Sequence, residues 1–209
     1  MSLMSKRRVG MVMMIIGILA VAAGLGLSSY NLWDNYRAGI QANTALNTIV
    51  QRQKELALTN PLEIPTMFPT YSDRELSTLE VDGYQYIGTL SIPVIDVTLL
   101  VLEDWSLALL KTSPCRYMGS PYQGNFIICA HNYTTHFGHL KNLLPGDEVI
   151  FTDVEGNEFC YTVVELETLA GTAVAEMENG AWDLTLFTCT LGGQTRVTVR
   201  CELLENDEA

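Results

Sequence analysis

A histidine, a cysteine and an arginine lie at the ends of three predicted strands. His131 follows one apolar run, Cys189 closes a second strand-like run, and Arg196 lies near the start of a third. A rigid sheet aims such residues, and the loops that follow keep them accessible. A cation near a thiol lowers its pKa, histidine can protonate a leaving amine, and arginine can stabilise an oxyanion. These residue types suffice for acyl transfer through a thioester, although the sequence alone does not bring them together.

The cysteine count leaves room for a reactive thiol. The chain has five cysteines, at positions 115, 129, 160, 189 and 201. An odd count leaves at least one thiol unpaired, and the absence of CxxC spacing argues against a zinc cluster. In an exported domain an unpaired thiol is a candidate nucleophile, and the alternative is a small buried hydrophobe. We expect burial for the four cysteines other than Cys189, and the sequence leaves any disulfide connectivity open.

Two further histidines form an H-x4-H-x2-H pattern with His131. His136 and His139 have no carboxylate or cysteine partner at a recognised metal-ligand spacing. We therefore expect exposed or capping histidines beside the site, and we predict no metal and no cofactor.

Apolar and β-branched runs dominate the second half of the chain, which predicts a sheet. Gly156 lies in the turn of a predicted hairpin, and Gly88 and Pro93 interrupt the first run. Several strands with few helices favour an antiparallel barrel or sandwich. The runs cover residues 84–102, 125–130, 147–153, 157–166, 183–189 and 195–204.

The N-terminal segment predicts a membrane anchor. Residues 9–27 are almost entirely apolar and follow the cluster Lys6-Arg7-Arg8. A helix needs about 20 such residues to cross a bilayer, and the basic cluster places the N-terminus in the cytoplasm. A cleaved signal peptide ending at Ala20-Val21-Ala22 is the alternative, but the apolar run is longer than its usual core. Both interpretations place the rest of the chain outside the cytoplasm.

Residues 31–58 have helical spacing, and three prolines within 59–72 predict an extended linker. The predicted organisation is a cytoplasmic tip, a transmembrane anchor, a helical stalk with linker, and a catalytic barrel. Their bounds are 1–8, 9–29, 30–79 and 80–209.

Composition and missing motifs argue against two classes of function, nucleic-acid binding and nucleotide binding. The 209 residues are 48% hydrophobic and carry a net charge of −12. Such a chain can bury a core, and its acidity argues against nucleic-acid binding, which needs a basic face. It contains neither a P-loop nor a GxGxxG motif.

Three motifs together resemble the sortases, the membrane-anchored cysteine transpeptidases of Gram-positive surfaces. The TLxTC motif is present at 185–189, an AHN segment at 130–132, and Arg196 opens the last predicted strand. The resemblance covers about residues 80–204 and includes the anchor. It implies an eight-stranded sortase β-barrel.

The resemblance also implies the reaction. Cys189 would attack the threonine carbonyl of an LPXTG-like sorting signal, His131 would protonate the departing amine, and Arg196 would hold the signal and stabilise the oxyanion. An amine of a cell-wall precursor or of a pilin would resolve the thioester. The partners would be surface proteins with a C-terminal sorting signal. Ala130, Asn132 and Thr188, which adjoin the catalytic residues in these motifs, would contact the substrate.

Three alternatives stay open at this point. Water could resolve the thioester, which would make the protein a hydrolase, or the barrel could be an inactive binding scaffold. Arg200 competes with Arg196 because both lie on one strand face. Sortases have the functional arginine at the strand's start, so we expect Arg200 to form a surface ion pair. Residues 31–80 can accommodate the N-terminal helices of class B, while classes C and D are not excluded.

Overall fold

The computed structural model describes residues 3–59 and 74–204, with side chains described for 9–40 and 74–204. The chain divides into two compact units, Met1–Arg37 and Ala38–Ala209. Apart from Thr59, the predicted linker lies outside the described residues.

The N-terminal helix α1 spans Leu3–Thr59. Its stretch Val9–Ile40 has a mean hydropathy of 2.4 and is the one described helix that is long and apolar enough to cross a membrane. The predicted anchor and the predicted helix 31–58 are therefore parts of one continuous helix.

Among the described residues nine strands form the sheet, and eight of them close into a barrel. The ring runs β2-β3-β4-β5-β8-β9-β7-β6 and closes through pairing of β6 with β2, while β1 pairs only with β2. The predicted eight-stranded barrel is thus confirmed. The strands are β1 Leu79–Val81, β2 Tyr84–Ile92, β3 Val97–Leu102, β4 Cys115–Ser120, β5 Gly124–Ala130, β6 Glu148–Asp153, β7 Glu158–Ala170, β8 Leu184–Cys189 and β9 Thr195–Leu203.

Short helical segments join some of the strands. A five-residue helix α2, Val174–Glu178, lies between β7 and β8, and 3-10 turns occupy Pro93–Ile95, Leu109–Lys111 and Leu140–Asn142. The turn at Pro93 divides the first predicted run into β2 and β3, because proline cannot continue a strand's hydrogen-bond ladder.

Two strand pairs are parallel, so the barrel is mixed, whereas the sequence pattern favoured an antiparallel barrel or sandwich. β3 pairs in parallel with β4 over one residue pair, and β5 pairs in parallel with β8 over five. A parallel pair needs a long crossover. The connection from β5 to β8 provides it, because it contains β6, β7 and α2.

Alternation along each strand separates an inner face from an outer face. On β5, Phe126 and Ile128 enter the main apolar core, together with Leu184 and Leu186 of β8. Phe126 also packs edge-on against Phe151 of β6, with ring centroids 4.9 Å apart. The core therefore fills the barrel interior, and the other residues of the same strands face outward.

β1, β4 and α2 were not predicted. β4 reads CRYMGS, which is poor in β-branched residues, and its pairing with β5 is irregular near Gly119. Gly119 has a φ of 66°, a left-handed conformation that side chains rarely adopt. The local sequence of β4 thus lacks the usual strand signal.

Closure of the barrel depends on the missing side chain of Gly88. Gly88 pairs with Asp153 where β2 meets β6, and a Cβ there would lie 2.3 Å from the carbonyl oxygen of Thr152. Gly83 has open space around it but a φ of 80°.

We expect Gly88→Ala to lower the free energy of unfolding by about 3 kcal/mol or more, because backbone must move apart. Gly83→Ala is the control and should cost only about 1–2 kcal/mol, from its backbone conformation. Urea titrations followed by tryptophan fluorescence compare the two. Equal losses would contradict the importance of the close contact at Gly88.

Candidate active site

The pairing of three neighbouring strands brings His131, Cys189 and Arg196 to one edge of the barrel. In the parallel β5–β8 pair, Ala130 is opposite Thr188, so the next residues along the chain are His131 and Cys189. In the antiparallel β8–β9 pair, Cys189 is directly opposite Arg196. Strands in a sheet lie about 4.8 Å apart. The sequence placed these residues at three strand ends, and the register makes the ends neighbours.

A buried hydrogen bond of Thr188 connects two of these strands at the same edge. The hydroxyl of Thr188 is buried and donates a 2.8 Å hydrogen bond to the carbonyl oxygen of Ala130. This bond joins β5 to β8 one residue before His131 and Cys189. The spacing between those two strand ends is therefore fixed by a side chain as well as by the ladder.

The three residues line one pocket of about 260 Å³ on the outer face of the barrel. Ala130 and Thr188, predicted to contact substrate, also line it, whereas Asn132 is not among the lining residues. Cys189 is half-buried and forms no disulfide. A thiol there is both held by a strand and open to a ligand.

One wall of the pocket is aromatic. Trp105, from the β3–β4 connection, packs against Tyr117 of β4, which contacts Phe187 of β8 edge-on; both centroid distances are 5.5 Å. Leu107 and Leu110 extend this wall. Sequence analysis did not single out Trp105, Leu107 and Leu110, because apolar residues in a connection have no periodic pattern.

A second part of the pocket lining comes from the end of β7 and from α2. It consists of Ala170, Gly171, Ala173, Val174 and Met177. The amide of Gly171 donates to the carbonyl oxygen of Gln194 over 2.8 Å, and a Cβ at Gly171 would lie 2.9 Å from that oxygen and 3.4 Å from Arg196 Nη1. Glycine is therefore required for the wall to approach Arg196 so closely.

The guanidinium of Arg196 is held by the backbone of the β8–β9 loop. Nη1 donates to the carbonyl oxygens of Gly193 and Thr195, at 2.8 and 3.1 Å. Within the described part of the chain its Nε and Nη2 make no hydrogen bond. The side chain is thus oriented through one nitrogen and keeps donors for a ligand.

Comparison with known proteins identifies the family. The sequence model of the sortase domain matches residues 90–204, more than half of the chain. The chain belongs to the sortase family. No curated protein sequence matches it.

Solved sortase structures share the fold. Listeria monocytogenes sortase A is 26% identical with a TM-score of 0.51, and the match covers 57% of this chain and 88% of that one. Streptococcus agalactiae sortase C1 is 25% identical with a TM-score of 0.54, covering 78% and 91%. The Clostridium perfringens sortase D5 transpeptidase is 20% identical with a TM-score of 0.55, covering 79% and 96%, and this match shows the fold alone.

The other four cysteines of this sortase have thiols that resist ionisation. Burial raises the pKa of Cys115 and of Cys201 to about 12, and raises that of Cys129 further. Cys160 is half-buried, so the expectation of burial is wrong there, and desolvation with nearby Glu158 raises its pKa. Thiolate is the reactive form, so these four positions are poor nucleophiles.

His136 is buried, which corrects the expectation of an exposed histidine. It is 0% exposed, and neither ring nitrogen has a hydrogen-bond partner among the described residues. The ring of Tyr133 lies against both His131 and His136, with centroids 5.0 and 5.3 Å away. Burial, and secondarily the charge of His131, lowers the pKa of His136 to about 4. His136 is therefore neutral at pH 7.

Arg200 forms the expected ion pair, but its side chain is buried, so the expectation of a surface position is wrong. Its side chain is 3% exposed and pairs with Glu167 of β7, the Nε–Oε1 distance being 2.8 Å. Arg200 does not line the pocket. Among the two arginines of β9, only Arg196 reaches the Cys189 edge.

The pKa of His136 predicts an acid-sensitive barrel. A histidine with a lowered folded-state pKa stabilises the fold above its ordinary pKa of 6.5, and this stabilisation is lost as the pH falls toward 4. The free energy of unfolding of the wild type should fall between pH 7 and pH 4. We expect this fall to be about 3 kcal/mol smaller in His136→Phe. Urea titrations at both pH values measure it, with His139→Phe as the control. If the free energy of unfolding of the His136 variant fell with pH as much as that of the wild type, the buried neutral imidazole would be contradicted.

Proposed function

We propose that this sortase is a cysteine transpeptidase that cleaves an LPXTG-like sorting signal and transfers the acyl group to an amine. The observation that supports it most strongly is the strand register, which makes Cys189 the neighbour of both His131 and Arg196. A nucleophile, a proton donor and an oxyanion partner at one pocket are the groups that acyl transfer requires.

The first half-reaction forms a thioester. The thiolate of Cys189 attacks the threonine carbonyl of the sorting signal, and the carbonyl oxygen becomes an oxyanion. Arg196 donates to that oxygen through the nitrogens that the β8–β9 loop does not use. As the carbon–nitrogen bond breaks, His131 protonates the departing amine, which leaves the acyl group on sulfur.

The second half-reaction forms a new amide. The amine of a cell-wall precursor or a pilin attacks the thioester carbonyl, and His131, now neutral, accepts the amine's proton. The second tetrahedral intermediate collapses, and Cys189 leaves as a thiolate. Arg196 stabilises both oxyanions at the same place, so one preorganised donor serves both steps.

The two walls suit an extended peptide with apolar side chains. Trp105 and Tyr117 of the aromatic wall line the same pocket as Val174 and Met177, and Cys189 lines it as well. We assign the substrate contacts nearest the reacting carbon to Ala130 and Thr188, and we place Asn132 in the loop that carries His131.

The helix α1 supports a membrane location for the enzyme. We propose a cytoplasmic tip at 1–8, an anchor at 9–29, a stalk and linker at 30–79 and an external catalytic barrel at 80–209. The basic residues before the apolar stretch favour this orientation. An enzyme anchored in this way meets secreted surface proteins and wall precursors at the outer face of a Gram-positive membrane.

The nucleophile assignment predicts an acyl-enzyme on one residue. We expect the full chain in detergent micelles, mixed with LPXTG-like peptides, to gain the mass of the peptide's acyl part at Cys189. Cys189→Ala should show no adduct, because the remaining thiols resist ionisation. Intact-mass and peptide-mapping mass spectrometry measure the adduct.

Cys160→Ala is the matched control, since Cys160 is half-buried like Cys189 but lies away from the pocket. It should form the adduct as the wild type does. A thioester on any other cysteine would contradict the assignment. Release of free acid even with excess amine present would instead indicate a hydrolase.

If Arg196 stabilises the oxyanion, removing its side chain should lower kcat/KM, and a lysine at this position should not fully restore it. We expect Arg196→Ala to lower kcat/KM on the order of 10²-fold, as loss of an oxyanion donor does. Arg196→Lys should recover only part of this loss, because lysine lacks the planar fork. Steady-state kinetics with a fluorogenic sorting peptide measure both. Wild-type turnover in Arg196→Ala would remove Arg196 from the mechanism.

A further inference from the structure

Arg200 connects the outer face of the barrel to the wall of the pocket. Its Nη2 donates to the carbonyl oxygen of Glu176 over 2.7 Å, and its Nη1 donates to that of Met177 over 3.2 Å. Both carbonyls belong to α2. The same guanidinium also bonds Thr185 Oγ1, at 3.0 Å, and Glu167 Oε1, at 2.8 Å. Arg200 therefore joins β7, β8 and β9 to α2.

The helix α2 cannot hold its own position. It has only five residues, and its N-cap residue, Ala173, makes no side-chain hydrogen bond to it. Isolated helices of this length are unstable, so its place depends on contacts with the rest of the fold. Its unsatisfied carbonyl groups carry partial negative charge, which a guanidinium complements.

A second donor holds the end of α2. Asn125, at the start of β5, donates from Nδ2 to the carbonyl oxygen of Glu178 over 3.1 Å. Neither Asn125 nor Arg200 lines the pocket, whereas Val174 and Met177 of α2 do. Both donors thus act on the pocket only through α2.

We propose that Arg200 is a positioning residue that sets one wall of the substrate groove. It holds α2 against β8 and β9, and α2 in turn presents Val174 and Met177 to the substrate beside Cys189. This inference rests on the proposed function for its substrate. It assigns to Arg200 a part in peptide binding and none in the bond-making steps, which belong to Cys189, His131 and Arg196.

The test uses Arg200→Lys, which keeps a cation beside Glu167 but cannot reach all four acceptors. We expect KM for a sorting peptide to rise about tenfold, while kcat stays within about threefold of the wild-type value. This is the effect of losing a binding interaction that the ground state and the transition state share. The rate of Cys189 alkylation by iodoacetamide should stay close to that of the wild type. Amide hydrogen exchange over 171–180 should become faster. All measurements use the full chain in detergent micelles.

Two further variants separate positioning from general destabilisation. Asn125→Asp removes the donor to the carbonyl oxygen of Glu178 and retains a residue that tolerates the observed φ of 47°. It should raise KM and speed exchange over 171–180 in the same way. Arg74→Lys is the control, because Arg74 pairs with Glu155 in the β6–β7 turn, at the other end of β7 from the pocket. It should change neither quantity.

Each contrary outcome has a distinct meaning. A fall in kcat with an unchanged KM, or slower alkylation of Cys189, would show that Arg200 acts on the reacting groups, which overturns the inference. Unchanged KM and unchanged exchange over 171–180 would overturn it as well. If the wild type forms no acyl-enzyme, the proposed function fails, while unchanged amide exchange over 171–180 in Arg200→Lys would separately disprove the positioning of α2 by Arg200.

Discussion

The parallel pairing of β5 with β8 is the constraint on which the site depends. It sets residues 58 positions apart in the sequence beside each other, as in the pair Ala130 and Thr188. A slip by one residue would turn Cys189 to the barrel interior and remove it from His131. The hydrogen bond from Thr188 and the interdigitated core residues on the inner face oppose such a slip. The geometry of the proposed active site is therefore a consequence of register, and register is a consequence of the packed interior.

On the outer face of the barrel, the two arginines of β9 have different surroundings. Arg200 follows Arg196 by four residues, which is two repeats of the strand's side-chain alternation, so both point outward, yet they face different neighbours. Arg196 is bound by loop carbonyls beside Cys189, whereas Arg200 is covered by α2 and paired with Glu167. One strand thus carries a group proposed for the chemistry, Arg196, and a group that holds the structure around α2, Arg200.

Sequence patterns predicted the parts of the fold that repeat. The strand runs, the hairpin at Gly156 and the long apolar helix have local signatures, and TLxTC and AHN identified the family. The partners of β5 could not be predicted, because register across a long crossover depends on tertiary packing. The burial of His136 and Arg200 was missed for the same reason. Polar residue types favour exposure on average, and only the covering segments, such as α2 over Arg200, reverse that preference.

The groove wall at α2 belongs to a connection, not to the barrel. Residues 171–183 join β7 to β8 outside the hydrogen-bonded ladder of those strands. Loop segments of this kind tolerate insertion and deletion far better than strands do. A change in the length of this segment would therefore reshape one part of the pocket lining and leave the strand ends that carry His131, Cys189 and Arg196 in place.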